Sequence, residues 1–185
     1  GYTKGRDRTF HFGDMSNNIV GMISHLAAML PVANGFGLAF KLNNQNRIAL
    51  SFIGDGATSE GDFHEALNWA SRDKSPVIFH VENNGYAISV PIKDQTAGAS
   101  VYKISSGYDN LARFNVDGTD FFETHLAFKK AVERARKGKG PSLIQSDVVR
   151  LLPHSSSDDQ RKYRSEKDLE SDQKRDPLLT FANTC

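Results

Sequence analysis

The sequence predicts an α/β protein built on a doubly wound parallel sheet. Short apolar runs, typical of buried strands, alternate with longer segments that have helical periodicity. Two of the apolar runs are followed directly by polar residues, Gly-Asp-Gly at 54–56 and Asn-Asn at 83–84. Alternating strands and helices are joined by right-handed crossovers, which give a parallel sheet with helices on both faces. Ligands are then expected at the carboxyl ends of the strands, where both polar motifs lie.

The first elements are predicted by cap and turn residues. A helix is predicted from Ser24, a residue type that favours the N-cap, to Leu42, with Pro31 kinking or restarting it. Residues 43–46 are expected to form a turn, and residues 47–53 a buried strand.

The later elements are predicted by periodicity and by helix-end signals. Asp62 and Glu65 have the spacing of a capping box, and Gly138 is typical of the position after a helix. The remaining predicted elements, in chain order, are a helix over 62–73, strands over 77–82 and 111–116, a helix over 120–137 and a strand over 142–151.

Composition divides the chain into four expected parts. Residues 1–20 are polar and glycine-rich and are expected to form an N-terminal arm, and residues 21–152 hold the α/β domain. Over 153–171 the apolar residues give way to Ser, Asp, Lys and Arg, which predicts a mobile loop or linker. Residues 172–185 are interpreted as the start of a C-terminal segment, expected to be truncated.

Length and charge argue against several classes of function. A chain of 185 residues suits one α/β domain. Its net charge of +1, with 24% charged residues, favours neither a nucleic-acid partner nor a membrane anchor. No apolar run approaches the roughly 18 residues of a membrane span. Cys185 is the single cysteine, which excludes an internal disulfide and fits a reducing compartment.

Gly-Asp-Gly and Asn-Asn together predict a site for a diphosphate and its metal ion. Glycine lets backbone N–H groups approach a diphosphate closely, and oxygen ligands suit a hard cation such as magnesium. Asp55 would supply a carboxylate, Asn84 an amide oxygen and Tyr86 its backbone carbonyl. An isolated Gly-Asp-Gly is most often only a turn. The second motif, expected at the end of the next strand, favours the binding interpretation.

Six motifs, in order, resemble those of the alpha subunit of the thiamine-dependent 2-oxoacid dehydrogenases. They are H-F-G at 11–13, S-x-L-A-x-x-x-P-x-A-x-G at 24–35, G-D-G-A-T-S-E-G-D at 54–62, E-N-N-G-Y-A-I-S at 82–89, V-D-G at 116–118 and H-S-S-S-D-D…Y-R-S at 154–165. The resemblance covers nearly the whole chain and implies the thiamine diphosphate-binding fold. N-N-G-Y-A-I-S and the pair Asp158-Asp159 resemble the branched-chain (2-oxoisovalerate) type, whereas Glu82 is similar to the pyruvate type.

The resemblance implies a role for each matching residue. Asp55, Asn84 and the Tyr86 carbonyl would bind magnesium, and His154 would be catalytic because it lies in the family's active-site loop. The residues that would contact the cofactor are Ser24, Leu26, Gly54, Asp55, Gly56, Ala57, Asn84, Tyr86, Ile88 and His154. The residues that would order the loop are Arg150, Asp158, Tyr163 and Arg164, and Ser155 matches a serine that eukaryotic members phosphorylate.

The resemblance also implies the reaction and the partners. The reaction would be decarboxylation of a 2-oxoacid, with a branched-chain one favoured, followed by acyl transfer to lipoamide. In the family a glutamate on a separate pyrimidine-binding domain activates thiamine diphosphate, and 185 residues leave no room for that domain. The chain is therefore expected to be inactive alone and to bind a beta subunit or a fused beta domain, in a heterotetramer, and to meet the lipoyl domain of the acyltransferase component. The expected location is the cytoplasm of a bacterium or the mitochondrial matrix of a eukaryote.

Two alternatives stay open on the sequence alone. Pyruvate or acetoin could replace the branched-chain 2-oxoacid, which activity on a panel of 2-oxoacids would decide. The chain could also be a non-catalytic cofactor-binding module. The presence of both Asp55 and Asn84 argues against the second alternative.

Overall fold

The computed structural model describes residues 4–6 and 11–184 of the chain. The strands of this part are β1 Ala49–Gly54, β2 Val77–Asn83, β3 Tyr86–Ala87, β4 Val90–Pro91, β5 Ala112–Asp117 and β6 Ser142–Asp147. The α-helices are α1 Met29–Leu42, α2 Gly61–Asp73, α3 Ile92–Gln95, α4 Val101–Ile104, α5 Phe121–Arg136, α6 Glu166–Lys174 and α7 Pro177–Thr184. Short 3₁₀ helices lie at Met15–Asn17, Gly56–Ser59, Ala97–Ala99, Ser105–Gly107 and Gln160–Lys162.

The main sheet has four parallel strands in the order β1-β2-β6-β5. The strands β3 and β4 form a separate antiparallel pair. Helices cover both faces of the main sheet, because α1 and α2 pack in one core cluster with β1 and β2, and α5 packs in another with β5 and β6. The predicted doubly wound parallel sheet is therefore confirmed.

The core under α1 and α2 holds the largest buried side chains. Phe63 and Leu67 of α2 and Phe79 and Val81 of β2 are fully buried in one cluster. Each such side chain stabilises the fold by about 1.5 to 3 kcal/mol relative to an exposed one. The spacing of three to four in α2 is the helical periodicity that the sequence analysis used. The continuous burial of β2 matches the apolar run that predicted a buried strand.

The opposite face is packed by small residues of α5. Ala127 and Ala131 are buried against Ile78 and Ile144, and their small size lets the helix approach the sheet closely. This helix does not cover β1, the edge strand, so Leu50 and Phe52 are 42% and 58% exposed. In the described residues, no helix combines the length and apolar character needed to cross a membrane.

Two helix starts differ from the prediction. The first helix begins at Met29, so the predicted N-cap at Ser24 is wrong; Pro31 falls in the first turn, where its missing N–H is tolerated. The second begins at Gly61 after Glu60, whose side chain makes no capping bond, so Asp62 lies inside the helix and the predicted capping box is absent. Propensity alone does not locate a helix start to within a residue or two.

The prediction for α5 is confirmed at both ends. Asp120 caps the helix by accepting a hydrogen bond of 2.9 Å from the N–H of Glu123. Gly138 follows the helix with a φ of +65°, a conformation that glycine adopts without strain.

The C-terminal third has more helix and less strand than expected. Strand β6 ends at Asp147 rather than 151, and the predicted loop over 153–171 gives way to helix α6 from Glu166. Ser165 caps α6 by accepting a hydrogen bond from the N–H of Asp168. The helix has no buried residue, so its sequence lacks the apolar stripe that predicts a helix. Much of the predicted arm, residues 1–3 and 7–10, lies outside the described residues, as does Cys185.

Replacing Asn34 with Ala is expected to raise the free energy of unfolding by about 1 kcal/mol. Asn34 lies in α1 and is fully buried, and neither its Nδ2 nor its Oδ1 has a hydrogen-bond partner among the described residues. An unsatisfied buried polar group costs about 1 to 3 kcal/mol, and alanine is the better helix former. Urea denaturation of the chain measures the effect.

The matched control is Asn43→Ala, because Asn43 is exposed and its Nδ2 donates to the Ala39 carbonyl at 2.8 Å. This substitution should lower stability slightly. If Asn34→Ala instead costs more than about 1 kcal/mol, the Asn34 amide is satisfied and the interpretation is wrong.

Candidate functional site

The register of β1 and β2 brings the two polar motifs together. Gly54, the last residue of β1, pairs with Glu82, and β2 ends one residue later at Asn83, so the two strands end within one residue of each other. Directly beyond this pair, the backbone N–H of Asn84 donates to Asp55 Oδ1 at 3.3 Å. The contact between Gly-Asp-Gly and Asn-Asn that the sequence predicted is therefore present.

Asp55 is a buried carboxylate with one unsatisfied oxygen. Its residue is 1% exposed, and Oδ2 has no hydrogen-bond partner among the described residues. Burial raises the pKa of Asp55 above its ordinary value, and the N–H of Asn84 and the charge of Arg150 offset only part of that shift. A buried carboxylate oxygen without a donor is a suitable ligand for a cation.

The glycines of the motif have different roles. A Cβ on Gly56 would lie 2.8 Å from the Cβ of Ala87, so only glycine allows the motif to approach β3 this closely. A Cβ on Gly54 would meet no atom within 4 Å, so packing does not require glycine there. Gly85 has a φ of +80°, which favours glycine in the turn after Asn84. Ala57 is half-buried beside Gly56.

The segment after Asn84 turns back on itself. Asn84 Oδ1 accepts a hydrogen bond of 3.1 Å from the N–H of Tyr86, which closes the turn. Ile88, at the tip, is 53% exposed with a φ of +55°, and its carbonyl accepts a bond of 2.8 Å from Arg150 Nη1. The candidate residues Asn84, Tyr86 and Ile88 therefore lie in one short segment. Arg150 holds the tip of this segment at Ile88.

The candidate residues Ser24 and Leu26 lie in the segment directly before α1. This helix packs against β1, and Ala27, which follows Leu26, belongs to the same core cluster as Ile53 near the carboxyl end of β1. Leu26 is 62% exposed, and Ser24 Oγ lies 2.6 Å from His11 Nε2. No described contact joins these two side chains to Asp55.

The loop after β6 is organised around Asp158. Its Oδ2 accepts hydrogen bonds from the Tyr163 hydroxyl at 2.6 Å and from the His154 backbone N–H at 2.9 Å. These donors, led by the Tyr163 hydroxyl, hold the pKa of Asp158 below its ordinary value. Arg150 Nη2 donates to the Tyr163 oxygen at 2.7 Å, which ties the loop to the turn at Ile88. The predicted loop residues thus form one connected network.

Arg164 fixes the end of this loop. It is only 6% exposed, it pairs with Asp172 of α6, and its Nη1 donates to the Arg150 carbonyl at 2.9 Å. Its guanidinium also lies over the ring of Tyr86, 5.3 Å from the centroid. Ser155 and His154 are exposed at the other end of the loop. The backbone of His154 is therefore held by its hydrogen bond to Asp158, while the residue is exposed to solvent.

Two site residues were not predicted from the sequence. Asp172 accepts from Arg164 and from the N–H of Arg150, and Gln95 donates to the backbone of the Gly-Asp-Gly turn. Both lie outside the motifs, and no local pattern marks them. Within residues 4–6 and 11–184, no cluster of three His, Cys, Asp or Glu side chains could hold a metal, so the candidate metal site rests on one carboxylate with amide and carbonyl oxygens.

Comparison with known proteins identifies the class to which this fold and this candidate site belong. Residues 1–185 match the family described as "Dehydrogenase E1 component". The chain therefore belongs to the dehydrogenase E1 component family.

Individual relatives indicate which type of E1 component the chain resembles. The chain is 42% identical to the 2-oxoisovalerate dehydrogenase subunit alpha of Bacillus subtilis over 177 residues, 96% of this chain and 53% of that protein. It is 40% identical to the mitochondrial 2-oxoisovalerate dehydrogenase subunit alpha of Mus musculus over 162 residues, 88% of this chain and 36% of that protein. The predicted resemblance to the branched-chain alpha subunits is confirmed, and the chain spans about half the length, or less, of these curated relatives.

A solved structure supports the fold. The X-ray structure of a thiamin diphosphate-dependent enzyme from Mycobacterium smegmatis superposes with a TM-score of 0.50 at 23% identity, over 65% of this chain and 22% of that one. At this identity the likeness concerns the fold alone. It confirms the predicted thiamine diphosphate-binding type of α/β fold.

Replacing Asp55 with Asn is expected to stabilise the metal-free protein at pH 7 by about 1 to 3 kcal/mol, because the amide keeps the acceptor for the Asn84 N–H and carries no charge to be buried. Because the pKa of Asp55 is raised in the folded state, the folded protein binds its proton more tightly than the unfolded chain. Wild-type stability therefore falls as the pH rises from 3.8, the ordinary aspartate value, through the raised pKa. The stabilisation should be full above that pKa and small below about pH 4.

Chemical denaturation in the presence of a chelator, at pH 4 and pH 7, measures this difference. The control is Asp109→Asn at an exposed position, expected to change stability by less than about 0.5 kcal/mol at either pH. A loss of stability at pH 7 in Asp55→Asn would show that the carboxylate is compensated in the folded chain.

Proposed function

We propose that this chain holds the diphosphate of thiamine diphosphate, with magnesium, in the decarboxylating component of a 2-oxoacid dehydrogenase complex. The observation that carries the proposal is the buried Asp55 Oδ2, which has no hydrogen-bond partner among the described residues and belongs to a carboxylate that Asn84 contacts at the carboxyl edge of the sheet. Family membership and the thiamine diphosphate-binding fold agree with it.

The proposed magnesium ligands are oxygen atoms of three residues. They are a carboxylate oxygen of Asp55, the side-chain oxygen of Asn84 and the backbone carbonyl of Tyr86. Asn84 Oδ1 accepts the Tyr86 N–H with one lone pair and keeps the second for a cation. Hard cations such as magnesium prefer this donor set. A bound cation would also remove the cost of burying the Asp55 charge.

The remaining candidate residues would shape the cofactor site. Gly54, Gly56 and Ala57 are proposed to line the diphosphate, because a missing or small side chain leaves the backbone N–H groups accessible. Ser24, Leu26 and Ile88 are proposed to contact the cofactor rings, with the exposed side chain of Leu26 as an apolar support. The cofactor, when bound, supplies the electron sink for decarboxylation of a 2-oxoacid.

His154 is proposed as the catalytic residue of the chain. Its backbone is fixed by Asp158, and an imidazole can accept or release a proton near neutral pH. Arg150, Tyr163 and Arg164 are proposed to keep the loop ordered around it. Ser155 is proposed as a regulatory position, because a phosphate there would add about 1.5 to 2 negative charges beside a bound diphosphate.

The partners are proposed from the names of the relatives and from the family. As an alpha part, the chain is proposed to bind a beta subunit or fused beta domain in a heterotetramer. The acyl group derived from the 2-oxoacid would then be transferred to a lipoyl domain. The proposed substrate is a branched-chain 2-oxoacid, since the relatives are named 2-oxoisovalerate dehydrogenase alpha subunits. The proposed location is the bacterial cytoplasm or the mitochondrial matrix, according to the source.

Asp55→Ala is expected to abolish magnesium-dependent binding of thiamine diphosphate by the complex with the beta part. The substitution removes the one anionic ligand of the proposed metal site, at a buried position that follows β1 and belongs to neither hydrophobic cluster. Cofactor titration followed by calorimetry, with and without magnesium, measures it. Asp94→Ala, at an exposed position of α3, is the control and should bind normally. Unchanged affinity in Asp55→Ala would exclude the magnesium assignment.

His154→Ala is expected to reduce acyl transfer to the lipoyl domain by about a hundredfold while leaving cofactor affinity nearly unchanged, because the imidazole would move a proton and not anchor the diphosphate. The two quantities are measured by a lipoyl-domain assay and by cofactor titration of the same complex. His125→Ala, at an exposed position of α5, controls for loss of a surface histidine. Small and equal effects in both assays would contradict the catalytic role.

A further inference from the structure

Gln95, the last residue of α3, reaches back to the Gly-Asp-Gly turn. Its Nε2 donates to the Gly56 carbonyl at 2.7 Å and to Ser59 Oγ at 2.8 Å, and it lies 3.3 Å from the Asp55 carbonyl. Both hydrogens of the side-chain amide are therefore used on the backbone and side chain of one turn. The contact joins residues that are 39 positions apart in the chain.

The orientation of this amide is fixed by its acceptors. The Gly56 and Asp55 carbonyls can only accept, so the atom that faces them must be the NH₂ group. The reverse orientation would place Gln95 Oε1 against two carbonyl oxygens. Oε1 is buried and has no hydrogen-bond partner among the described residues. The structure therefore keeps a buried oxygen unsatisfied while the NH₂ group holds the turn.

Gln95 belongs to the same segment as the proposed metal ligands Asn84 and Tyr86. The N–H of Ile92 in α3 donates to the Gly85 carbonyl at 2.8 Å, which fixes α3 to the turn after Asn84. Gly56 packs against Ala87 in the middle of this segment. Gln95 thus completes a connection between the two motifs that begins at Asp55 and Asn84.

The peptide group between Gly56 and Ala57 links the Gln95 contact to the opposite side of the turn, where the diphosphate is proposed to bind. The Gly56 carbonyl and the Ala57 N–H belong to one peptide group, and in a trans peptide they point in opposite directions. The described part of the chain has no cis peptide bond. Holding the Gly56 carbonyl toward Gln95 therefore directs the Ala57 N–H away from Gln95.

We propose that Gln95 is a positioning residue for cofactor binding, which fixes the Gly56–Ala57 peptide so that its N–H is pre-oriented toward the diphosphate. This inference rests on the proposed function. Gln95 acts through the backbone and does not itself touch the cofactor. Its loss should weaken cofactor binding, because the turn must then be ordered when the ligand binds.

The test uses the complex with the beta part and two variants. Gln95→Met keeps the side-chain length and removes both donors, and its dissociation constant for thiamine diphosphate in excess magnesium should rise about tenfold. Gln95→Glu should lose more, because a carboxylate would face the same oxygen acceptors. At saturating cofactor, kcat should stay within about twofold of wild type for Gln95→Met. The control is Gln173→Met, at an exposed position of α6.

A second measurement separates positioning from a general loss of structure. Hydrogen exchange of the cofactor-free complex should become faster in Gln95→Met over residues 55–60 and stay unchanged in the strands β2 and β6. A uniform increase in exchange with an unchanged dissociation constant would mean a structural role and overturn the proposal. The proposal is also overturned if the wild-type complex binds thiamine diphosphate and the Gln95→Met complex binds it equally tightly. A wild-type complex that binds no cofactor would overturn the proposed function itself.

Discussion

The parallel pairing of β1 with β2 is the constraint on which the candidate site depends. With Gly54 opposite Glu82, Asp55 and Asn84 follow the two strands within one residue of the same level, close enough for a hydrogen bond. A slip of one residue would separate the motifs, and it would also turn Phe79 from its buried cluster to the other face of the sheet. The hydrophobic core therefore enforces the geometry of a polar site that lies outside it.

Two aspartates near this edge differ in pKa because their surroundings differ. Asp158 is satisfied by the Tyr163 hydroxyl and the His154 N–H, which lower its pKa, so its charge is used to hold the loop. Asp55 has one oxygen without a donor, and burial raises its pKa. Oδ2 of Asp158 is satisfied within the described chain, whereas Oδ2 of Asp55 would be satisfied by the cation that we propose.

The sequence predicted the parts of the molecule that periodicity and strand-end motifs control. The doubly wound sheet, the capped start of α5 and the meeting of Asp55 with Asn84 were all predicted and are present. The start of α1 was missed because no side-chain cap marks it. Helix α6 was missed because the Ser165 cap and an ion pair to Arg164 fix it without an apolar stripe. Gln95 and Asp172 were missed because they contact Gly56 and Arg150, which lie 39 and 22 positions away, and only the folded chain brings them together.

The uncovered edge of the sheet has a consequence for handling the molecule in the laboratory. Within the described residues β1 pairs only with β2, and its free side presents unpaired backbone groups next to the exposed Leu50 and Phe52. Such an edge is a template on which another copy can add a strand. Recombinant production of the chain without a partner is therefore expected to be limited by aggregation. Its soluble yield depends on whether a co-expressed chain covers that edge before self-association does.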